Sequence, residues 1–165
     1  MSNPPSWLPE PLKYDDFGGE WDSFLASVYE IFERDFKHSR PYFKGQPITY
    51  NSIIDAGKEK AFWHITSSDY AVTGSRELDI RRCERIAWVR SIIEHADDKD
   101  VKMWKNKRGS STHIPLWLEE LDYIVILREM RHRFALVAAY FIDQNHKRRK
   151  LRREWEEWTK NQKPP

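Results

Sequence analysis

His64 and His146 are the two histidines best placed to move protons. His64 lies in Ala61-Phe62-Trp63-His64-Ile65-Thr66-Ser67, and His146 directly precedes a run of cations. Imidazole titrates near neutrality, so either residue can act as base or acid. Arg81, Arg82 and Arg85 cluster in Arg81-Arg82-Cys83-Glu84-Arg85, and Tyr140 stands late in an apolar run. RNA cleavage through the 2′-hydroxyl needs no metal. It needs a base for that hydroxyl, an acid for the leaving 5′-oxygen, and cations for the charge that develops on the phosphoryl oxygens. Each residue also has a structural alternative. His64 can be a hydrogen-bonded strand residue, Arg81 to Arg85 a solvent face balanced by Glu84, and Tyr140 part of the core. His113 and His132 read as strand-end or turn residues, and His38 and His95 carry no signal.

Residues 147–153, Lys-Arg-Arg-Lys-Leu-Arg-Arg, hold six positive charges in seven positions. They open a helix (about 144–160) whose apolar stripe is Leu151, Trp155 and Trp158. Its cations stand in the first turns, where the helix dipole disfavours them, and Glu154, Glu156 and Glu157 follow. The pairs Lys150–Glu154, Arg152–Glu156 and Arg153–Glu157 all have the weaker orientation, with the base first. Helix stability alone would not choose this order. Lys147, Arg148 and Arg149 lack an acid four residues on, so with Arg85 they are expected to bind the RNA backbone. The competing reading is a solvated face that serves solubility.

Other chemistries are poorly served. There is no Gly-rich phosphate loop, no Gly-x-Ser-x-Gly elbow, no His-Glu-x-x-His and no clustered Asp, so neither a cofactor nor a metal is expected. Cys83 is the only cysteine, which excludes an internal disulfide and a cysteine zinc site and reads as core filler. With 28 Lys+Arg against 26 Asp+Glu, the net charge of +2 does not by itself imply nucleic-acid binding. No apolar run approaches the ~18 residues of a membrane span, and the four prolines of residues 1–12 do not suit a signal peptide. A cytoplasmic protein without membrane contact is expected.

These residues must be carried by an α+β domain. Residues 1–19 read as an extended Pro/aromatic arm, and 20–165 as a single domain. Trp21, Phe24, Leu25, Val28, Ile31, Phe32 and Phe36 recur at helical spacing. A short helix capped by Asp79 is expected over 78–88. Residues 112–118, 122–128 and 133–142 are apolar strands joined by links too short for parallel crossovers, and 101–107 can add a fourth. The expected architecture is an N-terminal helix packed on an antiparallel β-meander of about four strands, followed by the basic C-terminal helix. The aromatic and β-branched run 61–67 also reads as a strand. Its alternation would send Trp63 and Ile65 to the core and leave Phe62, His64 and Thr66 on the open face, away from the helix.

Four blocks carry a resemblance from about Gly57 to Glu156. They are Gly57-Lys58-Glu59 with Phe62 to Ser67; Arg81 to Ile86 with Trp88; Leu116 to Glu120 with Asp122-Tyr123; and Ala139-Tyr140 with His146, Arg148 and Lys150-Leu151. The chain resembles a family of small phage- and mobile-element-associated proteins near the barnase–EndoU–colicin–RelE ribonucleases. That resemblance implies a metal-independent endoribonuclease, the toxin of a toxin–antitoxin or phage-defence pair, with an antitoxin encoded nearby. His64 and His146 would share acid–base work, Arg81 and Arg82 would clamp the phosphate, and Lys147 to Arg149 would hold the RNA. One departure stands out: related sequences often read Thr-Ala-Tyr in the last strand, and Ala138 occupies the threonine position. Two other readings remain open. One is a non-catalytic nucleic-acid-binding module, and the other is a protein-interaction adaptor that docks through Trp7 to Phe17.

Overall fold

Helix α1 (Trp21–Phe32) fully buries Phe24, Val28 and Phe32, spaced i, i+4, i+8, so the sequence period alone dictates which side packs. The computed structural model describes residues 3–162; the outermost residues of the expected arm (1–2) and domain (163–165) lie outside these. Past Phe32 the helix widens into a π-helical turn, Glu33–Lys37, closed by the His38 N–H donating to the Glu33 carbonyl at 2.8 Å. This turn carries Asp35 and Phe36 inward. The arm before α1 is docked. Trp88 Nε1 donates to the Pro9 carbonyl (2.8 Å), the Leu12 N–H to the Glu84 carbonyl (2.8 Å), and Trp7 stacks on His95 at 4.4 Å.

Strands β1 (Tyr42–Phe43) and β2 (Gln46–Thr49) follow, then a separate hairpin of β3 (Ile54–Asp55) and β4 (Lys58–Glu59). Next comes α2 (Lys60–Thr66), where the sequence suggests a strand. Ala61, Phe62, Trp63, Ile65 and Thr66 are all buried, so the segment is apolar nearly all round and has no amphipathic period. Phe62 and Thr66 are therefore in the core rather than outward, and of the expected outward set only His64 is partly exposed. The start of α2 is fixed by buried Glu59, which accepts from Tyr29 Oη (2.6 Å) and pairs with Lys37 Nζ (2.9 Å) on the α1 side.

After α3 (Tyr70–Thr73) comes α4 (Ile80–Glu84), capped as expected by Asp79, whose Oδ1 accepts from the N–H groups of Arg81 (2.9 Å) and Arg82 (3.3 Å). The chain leaves helical geometry at Arg85 and resumes as α5 (Ile86–Glu94). The expected fourth strand appears as two pieces, β5 (Lys102–Met103) and β6 (Asn106–Arg108), both paired with β7 (Ser111–Leu118). Then β8 (Tyr123–Glu129) and β9 (Phe134–Phe141) complete the antiparallel meander before α6 (Asn145–Asn161).

The sheet order is β1-β2-β9-β8-β7-β5, with β6 also on β7. β2 joins β9 in parallel (Ile48 beside Phe134), so the sheet is mixed beyond the meander. Strand alternation divides the apolar residues between two faces. Tyr123, Val125 and Leu127 join the large core with Phe32, Phe62 and Ile92. Ile124 joins a smaller cluster of Trp104, Trp117 and Ile142, against which Leu151, Trp155 and Trp158 of α6 pack. Helices α2 and α5 lie directly on the sheet, and α1 packs on α4 and α5 as a further layer. No helix among the described residues is long and apolar enough to cross a membrane.

Candidate functional site

A cleft of about 590 Å³ opens where the end of β9, the start of α6 and the α2–α3 segment meet. Its floor depends on a β-bulge. Ile126 faces Ala138 while Leu127 faces Leu136, which leaves Val137 without a cross-strand partner. Such an extra residue bends the strand and re-aims its side chains. Val137, Ala138 and Tyr140 all line the cleft.

Four of the residues singled out in the sequence line this cleft: His64, Arg82, Tyr140 and Lys147. His64 is half-buried on α2, with its ring edge-on to Tyr70 at 4.9 Å. Burial, reinforced by the charge of Lys60, lowers its pKa and keeps the imidazole neutral as a proton acceptor. Arg82 lies over the Tyr140 ring at 5.9 Å and donates from Nη1 to the Ser67 carbonyl at 2.7 Å. Its Nε stands 3.7 Å from the Asp79 carboxylate, and among the described residues neither this Nε nor the buried Ser67 Oγ has a hydrogen-bond partner, which leaves the Ser67 hydroxyl open to a ligand. Burial pushes the Tyr140 phenol up, opposed by Arg108 and Arg82, so it holds its proton at neutral pH.

The other candidates are elsewhere. Arg81 spans the Asp143 carboxylate with two hydrogen bonds (3.2 and 3.0 Å) and lies over the Phe141 ring, outside the cleft wall. Asp143 is held below the usual carboxylate range by that contact. Arg85 pairs with Glu84 at 3.2 Å and stacks over Trp88 and Phe141. His146 is exposed on the first turn of α6 and does not line the cleft, and Arg149 is likewise exposed outside it. Arg148 is not available as the charge pattern suggests. It holds both oxygens of Asp122, at 2.8 and 2.6 Å. Arg152 pairs with Glu119 rather than Glu156, because the neighbouring turn supplies a carboxylate that no helical spacing reveals.

Three contributors stand outside the site expected from the sequence: Arg108, which carries no sequence signal, and Lys150 and Ser67, which stand in the basic run and in the 61–67 block without a role. Arg108, at the end of β6, and Lys150 line the cleft with no ion pair among the described residues, and so does Lys147. Ser67 lines it as well. Lys150 is not spent on Glu154, whose Oε1 instead accepts from Trp104 Nε1 and Asn106 Nδ2, both at 3.2 Å. Among the described residues no group of three His, Cys, Asp or Glu side chains could hold a metal ion. The arrangement can bind an anion and move a proton beside it. No protein-family model, no curated protein and no solved structure matches the chain.

Proposed function

We propose that the protein is a metal-independent endoribonuclease with this cleft as its active site. One observation carries the reading: a half-buried His64, its pKa lowered by burial, shares a cleft with Arg82, Tyr140 and three cations that have no ion pair among the described residues, Arg108, Lys147 and Lys150. His64 takes the 2′-hydroxyl proton as O2′ attacks phosphorus. The bond from phosphorus to O5′ breaks, and the departing oxygen takes the phenolic proton of Tyr140, giving a 2′,3′-cyclic phosphate and a 5′-hydroxyl. Water then returns a proton to Tyr140 and accepts one from His64. Arg82 and Arg108 stand where charge on the non-bridging oxygens would be met, and Lys147 and Lys150 hold the adjoining backbone. In this scheme His146 is replaced by Tyr140 as the acid, and Arg81, Arg85 and Arg148 support the scaffold.

Kinship with the barnase–EndoU–colicin–RelE group belongs to the same proposal, supported by the four sequence blocks and by a meander preceded by helices. So does the role of a cytoplasmic toxin held in check by an antitoxin, since an open cationic ribonuclease cleft endangers its own cell. A second reading, binding without cleavage, is favoured by Ala138 on the cleft floor, where sequences of the resembled family often carry threonine. The two separate in one experiment. Purified protein in EDTA is expected to cut RNA to 2′,3′-cyclic phosphate ends, and His64→Ala to slow this by about 10²–10⁴-fold and relieve growth inhibition. Tight RNA binding with no cut in the unaltered protein selects the binding module instead.

A further inference from the structure

His64 has a hollow on each side. Beyond the cleft, a second hollow of about 540 Å³ is walled by Asn51, Ile53, Ile54, Asp55 and Lys60, and it shares His64, Tyr70 and Ala71 with the first. On the ribonuclease reading, on which this inference rests, a strand with its scissile phosphate at His64 sends one nucleoside toward α6 and the other into this second hollow.

The wall chemistry is selective. Ile53 and Ile54 are 61% and 60% exposed, a high value for isoleucine that the flat face of a base would reduce. Asp55 is committed to its own surroundings, accepting from Tyr70 Oη at 2.7 Å and from Arg76 Nη1 at 3.1 Å. Asn51 Oδ1 accepts from the Ile53 N–H at 3.2 Å, so the end of this amide left for a ligand is its NH₂ group. Lys60 Nζ has no ion pair among the described residues, and its charge acts on both His64 and Asp55. The groups left uncommitted are therefore donors. Guanine offers O6 and N7 to such donors and uracil offers O4, whereas adenine and cytosine place an amino donor at that edge.

The geometry points to a nucleobase subsite between the β3–β4 hairpin and α3, in which Asn51 and Lys60 read the keto oxygen of guanine or uracil beside the scissile phosphate. Binding of GMP, UMP, AMP and CMP to the full chain, followed by NMR titration, tests this. GMP or UMP is expected to bind about ten-fold tighter than AMP and CMP, and comparing the first two tells which keto base is preferred. Asn51→Asp keeps an acceptor for the Ile53 N–H but replaces the free donor with an acceptor, and it is expected to shift preference toward AMP and CMP. Lys60→Met is expected to narrow the difference. Equal binding of all four nucleotides by both the unaltered chain and Asn51→Asp, or an initial preference for AMP or CMP, overturns the subsite. His64-dependent RNA cleavage would in that case still support the cleft as active site. Absence of both nucleotide binding and cleavage would remove the two readings together.

Discussion

Arg148 holds both carboxylate oxygens of Asp122, at 2.8 and 2.6 Å, and so fixes the first turn of α6 to the left-handed residue (φ 55°) that leads into β8. Its neighbour Lys147 lines the cleft with no ion pair among the described residues. Two adjacent cations thus have different work. For RNA binding, Lys147→Ala is expected to reduce the slope of log affinity against log salt by about 0.7, one phosphate contact on a single strand, and Arg148→Ala to leave that slope unchanged. Equal slope changes in the two variants would mean that Arg148 leaves Asp122 when RNA binds.

His64 should titrate below the ordinary imidazole value, because burial and Lys60 both disfavour its charged form. Between the lowered and the ordinary value the unfolded chain binds more protons than the folded one. The contribution to stability is therefore complete above the ordinary value and declines as pH falls through that window. The acidic limb of kcat/KM for RNA is expected in the same window, and Lys60→Gln is expected to move it upward. An imidazole NMR titration centred at or above about 6.5 would contradict this.

The smaller apolar cluster makes a graded prediction. Trp117 is fully buried beneath α6, whereas Trp158 packs on the same cluster while remaining partly exposed. Trp117→Ala is expected to cost about 3–5 kcal/mol in urea unfolding, and Trp158→Ala clearly less. Equal losses would mean that α6 is held by its ion pairs rather than by this packing.

Cys83 is fully buried, and burial pushes its thiol up to about 12. A disulfide reagent at pH 8 is expected to leave the native chain unmodified and to label one thiol per chain in guanidinium chloride. Rapid labelling of the native protein would show that α4 opens readily.

The meander was legible because three long apolar runs joined by links of three and four residues admit little else, and the cap at Asp79 because its side chain needs only the N–H groups two and three residues on. Residues 61–67 misled for a physical reason. In a helix buried on almost every side, aromatic and β-branched residues mark depth rather than strand. His64, Arg82, Tyr140 and Lys147 were recognisable by chemical type, but their meeting depends on α2 being a helix and on the bulge at Val137. Nothing local announces either. Likewise Asp122 is 26 residues from Arg148, so charge spacing along α6 could not reveal who claims that arginine.

The margins of the sheet are short: β1 has two residues at one side, and β5 and β6 have two and three at the other. Between them, beside the four-residue β2, stand three strands of seven or eight residues rich in Ile, Leu, Val and aromatic side chains, a sequence suited to fibril growth if its backbone lay open. At the β1, β5 and β6 margins a second copy approaching edgewise meets only brief stretches of hydrogen-bonding backbone, and Pro41 and Pro47 remove donors from the β1–β2 side; β2 covers β9 only at Phe134 and Ala135, and helix α2 packs on that strand. At those short margins the folded chain is thereby guarded against joining its sheet to that of a neighbour.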